Sequence, residues 1–127
     1  GLYAALTYDG TTAWSPPHAY DAAVLAAFNR DQRRDKGTGP ALGPDSGDYL
    51  VKVLQKAGFT VHSAHSPWQL GPAEADMVEE LINGITAAVG ADPELDVAAL
   101  QQWQQFRLAH ATTGTCMVGH IDVLALP

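Results

Sequence analysis

The sequence begins with an almost unbroken apolar run, Leu2 to Tyr8, followed by the turn pair Asp9-Gly10. Such a run is typical of a strand that is covered on both faces of a parallel sheet. A parallel strand needs neighbouring strands and crossover helices, and this chain supplies such connections only on the C-terminal side of the run. We therefore interpret the chain as the back half of a larger α/β domain.

Length and charge narrow the classes of protein to which the chain can belong. The 127 residues suffice for one small domain, and we predict a single partial domain over residues 1–127. The net charge of -7 disfavours nucleic acid and anionic membrane surfaces as partners. Cys116 is the only cysteine, which excludes an intrachain disulfide and makes a cytoplasmic location the expectation. No apolar segment has the length of a membrane span.

Hydrophobic periodicity predicts the order strand, helix, helix, strand, helix, helix, strand. The predicted helices cover about 19–34, 44–57, 73–89 and 93–110, and the predicted strands cover about 2–8, 59–68 and 115–126. Residues 11–17, which include Trp14, are predicted to form a loop after the first strand. On the last strand, alternation places Cys116 and His120 on one face and Met117 and Ile121 on the other.

Several motifs invite a chemical interpretation that their context does not support. The glycine-rich stretch Gly37 to Gly43 follows a predicted helix rather than a strand, so we interpret it as a structural or substrate-rim loop instead of a phosphate-binding loop. His62 and His65 point to opposite faces of a strand, so no metal site is predicted. His120 and Asp122 share a face, and we favour a structural hydrogen-bonding role for them over a proton relay.

The carboxyl end of the first strand is the most promising place for a ligand. Ligands of open α/β sheets bind beyond the carboxyl ends of the parallel strands. The following loop brings aromatic and polar side chains to this edge, and the next helix adds polar groups on an otherwise apolar face, which is the composition of a pocket wall. The candidate residues for binding a small molecule are Tyr8, Asp9, Trp14, His18, Asn29 and Gln32.

Short motifs along the whole chain together carry a family resemblance. They are residues 3–10, 28–32, 35–37, 41–44, 57–59, 68–71 and 118–122 and the triplet Trp14-Ser15-Pro16. The succession resembles the C-terminal half of a bacterial group of class I, Rossmann-like, S-adenosylmethionine-dependent methyltransferases. The resemblance implies an α/β fold of three strands, one of them antiparallel, with about four helices. The first, second and last strands would be the fifth, sixth and reversed seventh strands of that fold, and residues 73–110 would be a helical insertion.

The resemblance implies that the chain is part of a methyltransferase acting on a small molecule. The cofactor site of that family lies in a front half that this chain does not contain, so no residue is assigned to S-adenosylmethionine. The chain alone is therefore expected to be inactive and not to bind the cofactor. By position, the six candidate residues would border the methyl acceptor, with His18 and Tyr8 as candidate bases.

Two further expectations concern assembly. The final strand should lie antiparallel between the first strand and the strand that begins at Phe59. The first strand would then form an apolar sheet edge without proline or lysine, a composition that natural edges avoid. We expect the edge from Leu2 to Tyr8 to pair with a second copy of the chain, giving a homo-oligomer. The alternative function is a non-enzymatic dimerisation or interaction module with half of the methyltransferase architecture.

Overall fold

The computed structural model describes residues 3–34 and 45–126. In these ranges it contains four strands and four α-helices. In chain order they are β1 (Tyr3–Ser15), α1 (Asp21–Gln32), α2 (Ser46–Lys56), β2 (Thr60–His65), β3 (Trp68–Leu70), α3 (Ala75–Val89), α4 (Val97–Ala109) and β4 (Thr115–Leu126). The glycine-rich stretch 37–43 lies outside the described residues. None of the described helices has the length and apolarity needed to cross a bilayer.

The four strands form one sheet in the order β1-β4-β2, with β3 also paired to β4. Every one of these pairings is antiparallel, so β1 and β2 run parallel to each other on either side of β4. The prediction that the last strand lies antiparallel between the first strand and the Phe59 strand is confirmed. The α/β class is confirmed as well, with one strand more than the predicted three.

The prediction that the first strand ends at Asp9-Gly10 is wrong, because these residues form a bulge inside a longer strand. Tyr8 pairs with His120 and Thr12 pairs with Val118, so the three residues between them on β1 face one residue on β4. Gly10 provides the positive φ of 91° that the bulge requires. Opposite the bulge lies Gly119, where a Cβ would overlap the Asp9 carboxylate. Residues 11–15 therefore continue the strand instead of forming a loop.

The predicted strand from Phe59 to Trp68 is divided into β2 and β3. Ser66 and Pro67 separate the two, and Pro67 has no N–H group for the ladder. The Ser66 N–H still donates to the carbonyl of His120 over 2.8 Å, which holds the connection against β4. The chain then continues in the same direction as β3, whose Trp68 and Leu70 pair with Val118 and Cys116 in the register set by β2.

Helix α4 begins four residues later than the predicted start at Pro93. Its N-cap is Asp96, whose Oδ2 accepts a hydrogen bond from the Ala99 N–H over 2.8 Å. A carboxylate at this position satisfies a free N–H of the first turn and complements the helix dipole. The capping residue, rather than the proline, therefore fixes the start of α4.

The main core lies on the sheet face that carries Cys116. Helices α1, α3 and α4 contribute the fully buried Ala27, Ile82 and Trp103 to this core. Helix α2 packs on the opposite face, where Gly47 lies close to Thr7 and Ile121. The core face is not covered along its whole length, since Leu124 and Leu126 at the end of β4 are each 38% exposed.

Candidate functional site

A cavity of about 250 Å³ opens on the core face of the sheet, beside helices α1 and α3. Its walls are mainly apolar and come from Phe28, Leu70, Leu81, Ile85 and Val118. Four side chains bring polar groups to the walls, namely Tyr8, Thr12, Gln32 and His120. A concave, mostly apolar space with a few polar groups is the usual form of a small-molecule site.

Tyr8 is held in place by helix α1. Its hydroxyl donates a hydrogen bond to Asn29 Oδ1 over 2.9 Å, and the Asn29 amide in turn donates to the carbonyl of Gly10 over 3.0 Å. The second bond fixes the orientation of the amide, because only its nitrogen can donate to a carbonyl. The bulge of β1 and the phenol of Tyr8 are thus fastened to the same residue.

The Tyr8 phenol is a neutral group at physiological pH. Burial raises the pKa of Tyr8 above its ordinary value, and the nearby Asp9 carboxylate acts in the same direction, while the hydrogen bond to Thr12 opposes both. A phenol that holds its proton more tightly than usual is a poor general base. It remains a good hydrogen-bonding partner for a ligand.

His120 lies on the central strand and is almost fully buried. Its Nδ1 is 3.1 Å from the carbonyl oxygen of Val118. A carbonyl only accepts, so this contact assigns the proton to Nδ1 and leaves Nε2 as an acceptor. The ring also lies 4.5 Å from the ring of Trp68, measured between centroids, at an interplanar angle of 35°.

Trp68 and Met77 are the exposed members of the lining, with 45% and 50% of their surface accessible. Trp68 comes from β3, and Met77 comes from the first turn of α3. Both are large and apolar, and both reach solvent beside the cavity. We identify them as the rim of the cavity.

Three of the six predicted site residues belong to this cavity. Tyr8 and Gln32 line it, and Asn29 lies directly behind Tyr8 as its hydrogen-bond acceptor. Their grouping follows from the bulge, which keeps Tyr8 opposite the second half of α1.

The other three predicted residues lie elsewhere. The Asp9 carboxylate accepts from the Thr11 N–H over 2.9 Å and lies 3.6 Å from His65, beside Gly119. Trp14 packs inward, with its ring centroid 5.8 Å from that of the fully buried Trp103. Asp9 and Trp14 therefore make contacts that stabilise the fold, and neither residue lines the cavity.

His18, the sixth predicted residue, belongs to a polar cluster around Asp21. The His18 N–H donates to Asp21 Oδ2, and the Trp103 indole donates to Asp21 Oδ1, each over 2.8 Å. The Nδ1 of His18 accepts from the Tyr20 N–H over 3.0 Å, so this nitrogen is already used. The buried Arg107 lies against the same carboxylate, with Nε 3.6 Å from Asp21 Oδ1.

The sequence patterns did not identify Trp68, Met77 or His120 as parts of a ligand site. Trp68 and His120 meet because β3 continues the pairing of β2 along β4 in the same direction, which places Trp68 opposite Val118, two residues before His120. Met77 is at a helical core position in the sequence, yet it is half exposed because the cavity opens beside it.

Within residues 3–34 and 45–126, no group of three His, Cys, Asp or Glu side chains is arranged to hold a metal ion. A scan against protein-family models found no match to this chain, and a search of curated proteins found none either. The fold and the cavity are therefore the basis for assigning a function.

Proposed function

We propose that this chain is the C-terminal half of a class I, Rossmann-like, S-adenosylmethionine-dependent methyltransferase that acts on a small molecule. The observation that carries the proposal is the strand arrangement, in which β4 runs antiparallel between the mutually parallel β1 and β2. The sequence resemblance implies this arrangement for the fifth, seventh and sixth strands of the family. In the same comparison, helices α3 and α4 form an insertion between the last two strands.

The part of the reaction that we assign to this chain is holding the methyl acceptor. The cavity lies beyond the carboxyl end of β2, where open α/β sheets bind their ligands, and beside Tyr8 in the middle of β1. Methyl transfer is an in-line displacement that depends largely on alignment of the acceptor. A rigid wall that carries the fixed Tyr8–Asn29 pair is suited to such alignment.

The residues of this chain do not fit the cofactor itself. The cavity of about 250 Å³ is small for S-adenosylmethionine, and its lining in the described part of the chain contains no Asp, Glu, Lys or Arg. A class I site uses a glycine-rich turn after a strand and an acidic residue at a strand end. We therefore assign cofactor binding to another segment of a larger protein, whose compartment we propose to be the cytoplasm.

Calorimetric titration with S-adenosylmethionine tests the proposal. The chain alone is compared with the protein translated from the complete natural reading frame, and ATP serves as a control ligand that shares only the adenosine. We expect binding by the longer protein and none by the chain. Binding by neither protein would contradict the methyltransferase proposal, and low-micromolar binding by the chain would contradict its division into halves.

An interaction module is the second candidate function. The observation in its favour is that large apolar side chains are exposed on both sides of the sheet: Tyr49 and Val53 on α2, and Leu124 and Leu126 on β4. Surfaces of this kind are typical of sites that another polypeptide covers. In this second proposal, a second copy of the chain or another protein would cover them, and no methyl transfer would occur.

A further inference from the structure

The lining of the cavity limits the charge of its ligand. Among its residues in the described chain are no carboxylate, ammonium or guanidinium groups. An ion buried without a partner of opposite charge loses its hydration without compensation, and even a neutral polar group is costly to bury without a hydrogen bond. A ligand of this cavity is therefore uncharged over the part that it buries.

The aromatic side chains limit the shape of the ligand. The rings of Trp68 and His120 lie together in the cavity wall at 4.5 Å between centroids. Tyr8 meets Phe28 edge to face at 5.9 Å and 69°, and it meets His120 edge to face at 6.5 Å. Rings arranged in this way offer both faces and edges to a further ring. The volume of about 250 Å³ exceeds the roughly 150 Å³ of an apolar cavity that accepts benzene, so two fused rings match it.

The hydrogen-bonding state of the wall limits the polar group of the ligand. The Tyr8 proton is committed to Asn29 Oδ1, and the Thr12 hydroxyl lies 3.5 Å from the phenolic oxygen, which leaves this oxygen one lone pair for a ligand. The proton of His120 is assigned to Nδ1 by the Val118 carbonyl, which leaves Nε2 as an acceptor. Two acceptors in one small space favour a ligand that brings a donor.

We propose that the cavity binds a neutral, planar aromatic molecule of about two fused rings, and that an O–H or N–H group of this molecule donates to Tyr8 or His120. The proposal concerns binding alone. It goes beyond the methyltransferase assignment and holds equally for a non-enzymatic chain, because no cofactor takes part in it.

Calorimetry at pH 7 with four related probes tests each element of the proposal. The probe 2-naphthol has the ring pair and the donor, 2-methoxynaphthalene lacks the donor, 2-naphthoate is anionic, and decahydro-2-naphthol is not planar. We expect 2-naphthol to bind about tenfold more tightly than 2-methoxynaphthalene, which is the effect of one hydrogen bond. We expect the anionic and the saturated probes to bind more weakly still.

Substitutions locate the binding. Met77→Trp fills the rim from a half-exposed position and should abolish 2-naphthol binding, whereas Val97→Trp, at a residue of α4 that is 65% exposed and outside the lining, should leave it unchanged. Tyr8→Phe should reduce the advantage of 2-naphthol over 2-methoxynaphthalene if Tyr8 is the acceptor, and His120→Phe should do so if His120 is. Circular dichroism of each variant verifies its folding.

Specific results would overturn the proposal. They are the absence of 2-naphthol binding up to its solubility limit, equal binding of 2-naphthoate, and wild-type affinity in Met77→Trp. A loss of affinity as the protein concentration rises would also overturn it, because a second copy of the chain would then fill the cavity. None of these results bears on S-adenosylmethionine binding, so the two proposals are tested separately.

Discussion

The hydroxyl of Tyr8 lies 2.9 Å from Asn29 Oδ1, and this hydrogen bond ties the bulged strand β1 to helix α1 at the wall of the cavity. Asn29 also donates to the Gly10 carbonyl, so a single side chain fixes both the bulge and the phenol. Asn29 therefore positions both a residue of the cavity wall and the backbone of the bulge.

Asn29→Ala should destabilise the fold, because it removes the donor to the Gly10 carbonyl and leaves the Tyr8 hydroxyl only the longer contact with Thr12 in a partly buried site. The expected loss in the free energy of unfolding is about 1–3 kcal/mol. Urea denaturation measures it as a lower midpoint at unchanged slope. The matched control is Asn83→Ala, which removes an exposed bond to Gln104 and should change stability by less than about 0.5 kcal/mol. Equal effects of the two substitutions would contradict the role of Asn29.

Asp21→Asn should be strongly destabilising, because Asp21 is the counter-ion of Arg107, of which only 2% is exposed. Removing one partner of a buried ion pair costs about 3–5 kcal/mol. The double variant Asp21→Asn with Arg107→Met should regain part of this loss, since the unpaired charge is then absent. Asp45→Asn breaks the exposed pair with Arg33 and should have an effect of at most about 1 kcal/mol. Additive effects of Asp21→Asn and Arg107→Met would show that the two groups are not coupled.

Cys116 should be unreactive in the folded chain and should make stability depend on alkaline pH. Burial raises the pKa of the Cys116 thiol from 9.0 to about 12, against the opposing influence of Arg107. Above pH 9 the unfolded thiol releases its proton while the folded one keeps it, so stability falls as pH rises, by at most about 1.4 kcal/mol per pH unit. Cys116→Ser should show a shallower fall between pH 9 and 10 in denaturation at several pH values. A thiol that reacts with a disulfide reagent in the folded chain at pH 8 would contradict the burial.

Trp14→Ala should mainly lower the stability of the fold, whereas Trp68→Ala should mainly weaken 2-naphthol binding. Trp14 packs on Trp103 and under the guanidinium of Arg107, so its loss should lower the free energy of unfolding by about 3 kcal/mol. Trp68 is 45% exposed at the cavity rim, so its loss should affect 2-naphthol binding more than stability. In the proposed methyltransferase, a position of Trp14 beside the methyl acceptor would make Trp14→Ala weaken acceptor turnover. The packing of Trp14 indicates that such a loss would come with reduced stability.

The free edge of β1 should make the isolated chain associate. Among the described residues β1 pairs only with β4, so its other edge has no strand beside it. We expect light scattering at tens of micromolar to give a dimer or larger species. Ala4→Lys should shift the chain toward the monomer, while His62→Lys should not, because Ala4 and His62 pair with Leu124 from opposite sides. A monomer in the wild-type chain would contradict the prediction.

The periodicity of apolar residues predicted most of the helices and strands, because the apolar spacing reflects which face of an element can be buried. β4 begins and ends at the predicted residues Thr115 and Leu126, and its two faces follow the predicted alternation. A capping residue and a proline account for two differences from the predicted boundaries. Asp96 moved the start of α4, and Pro67 divided one predicted strand into two.

The candidate site was predicted only in part, because it depends on contacts between residues far apart in the sequence. Tyr8, Asn29 and Gln32 were predicted together and do lie together. Trp14 was predicted as a rim residue because the strand was expected to end before it. The continuation of β1 through the bulge instead directs Trp14 toward Trp103 in the core.

The sequence by itself therefore determined the order of the main elements, which follows from local propensity and from the burial of apolar surface. The family resemblance implied the place of β4 between β1 and β2. Only the tertiary structure decided that Asp9-Gly10 bends a strand without ending it, since the space for that bulge comes from Gly119, more than a hundred positions away. It also decided that Trp68, Met77 and His120 share one cavity, because a cavity is the space left between elements whose packing no single segment specifies.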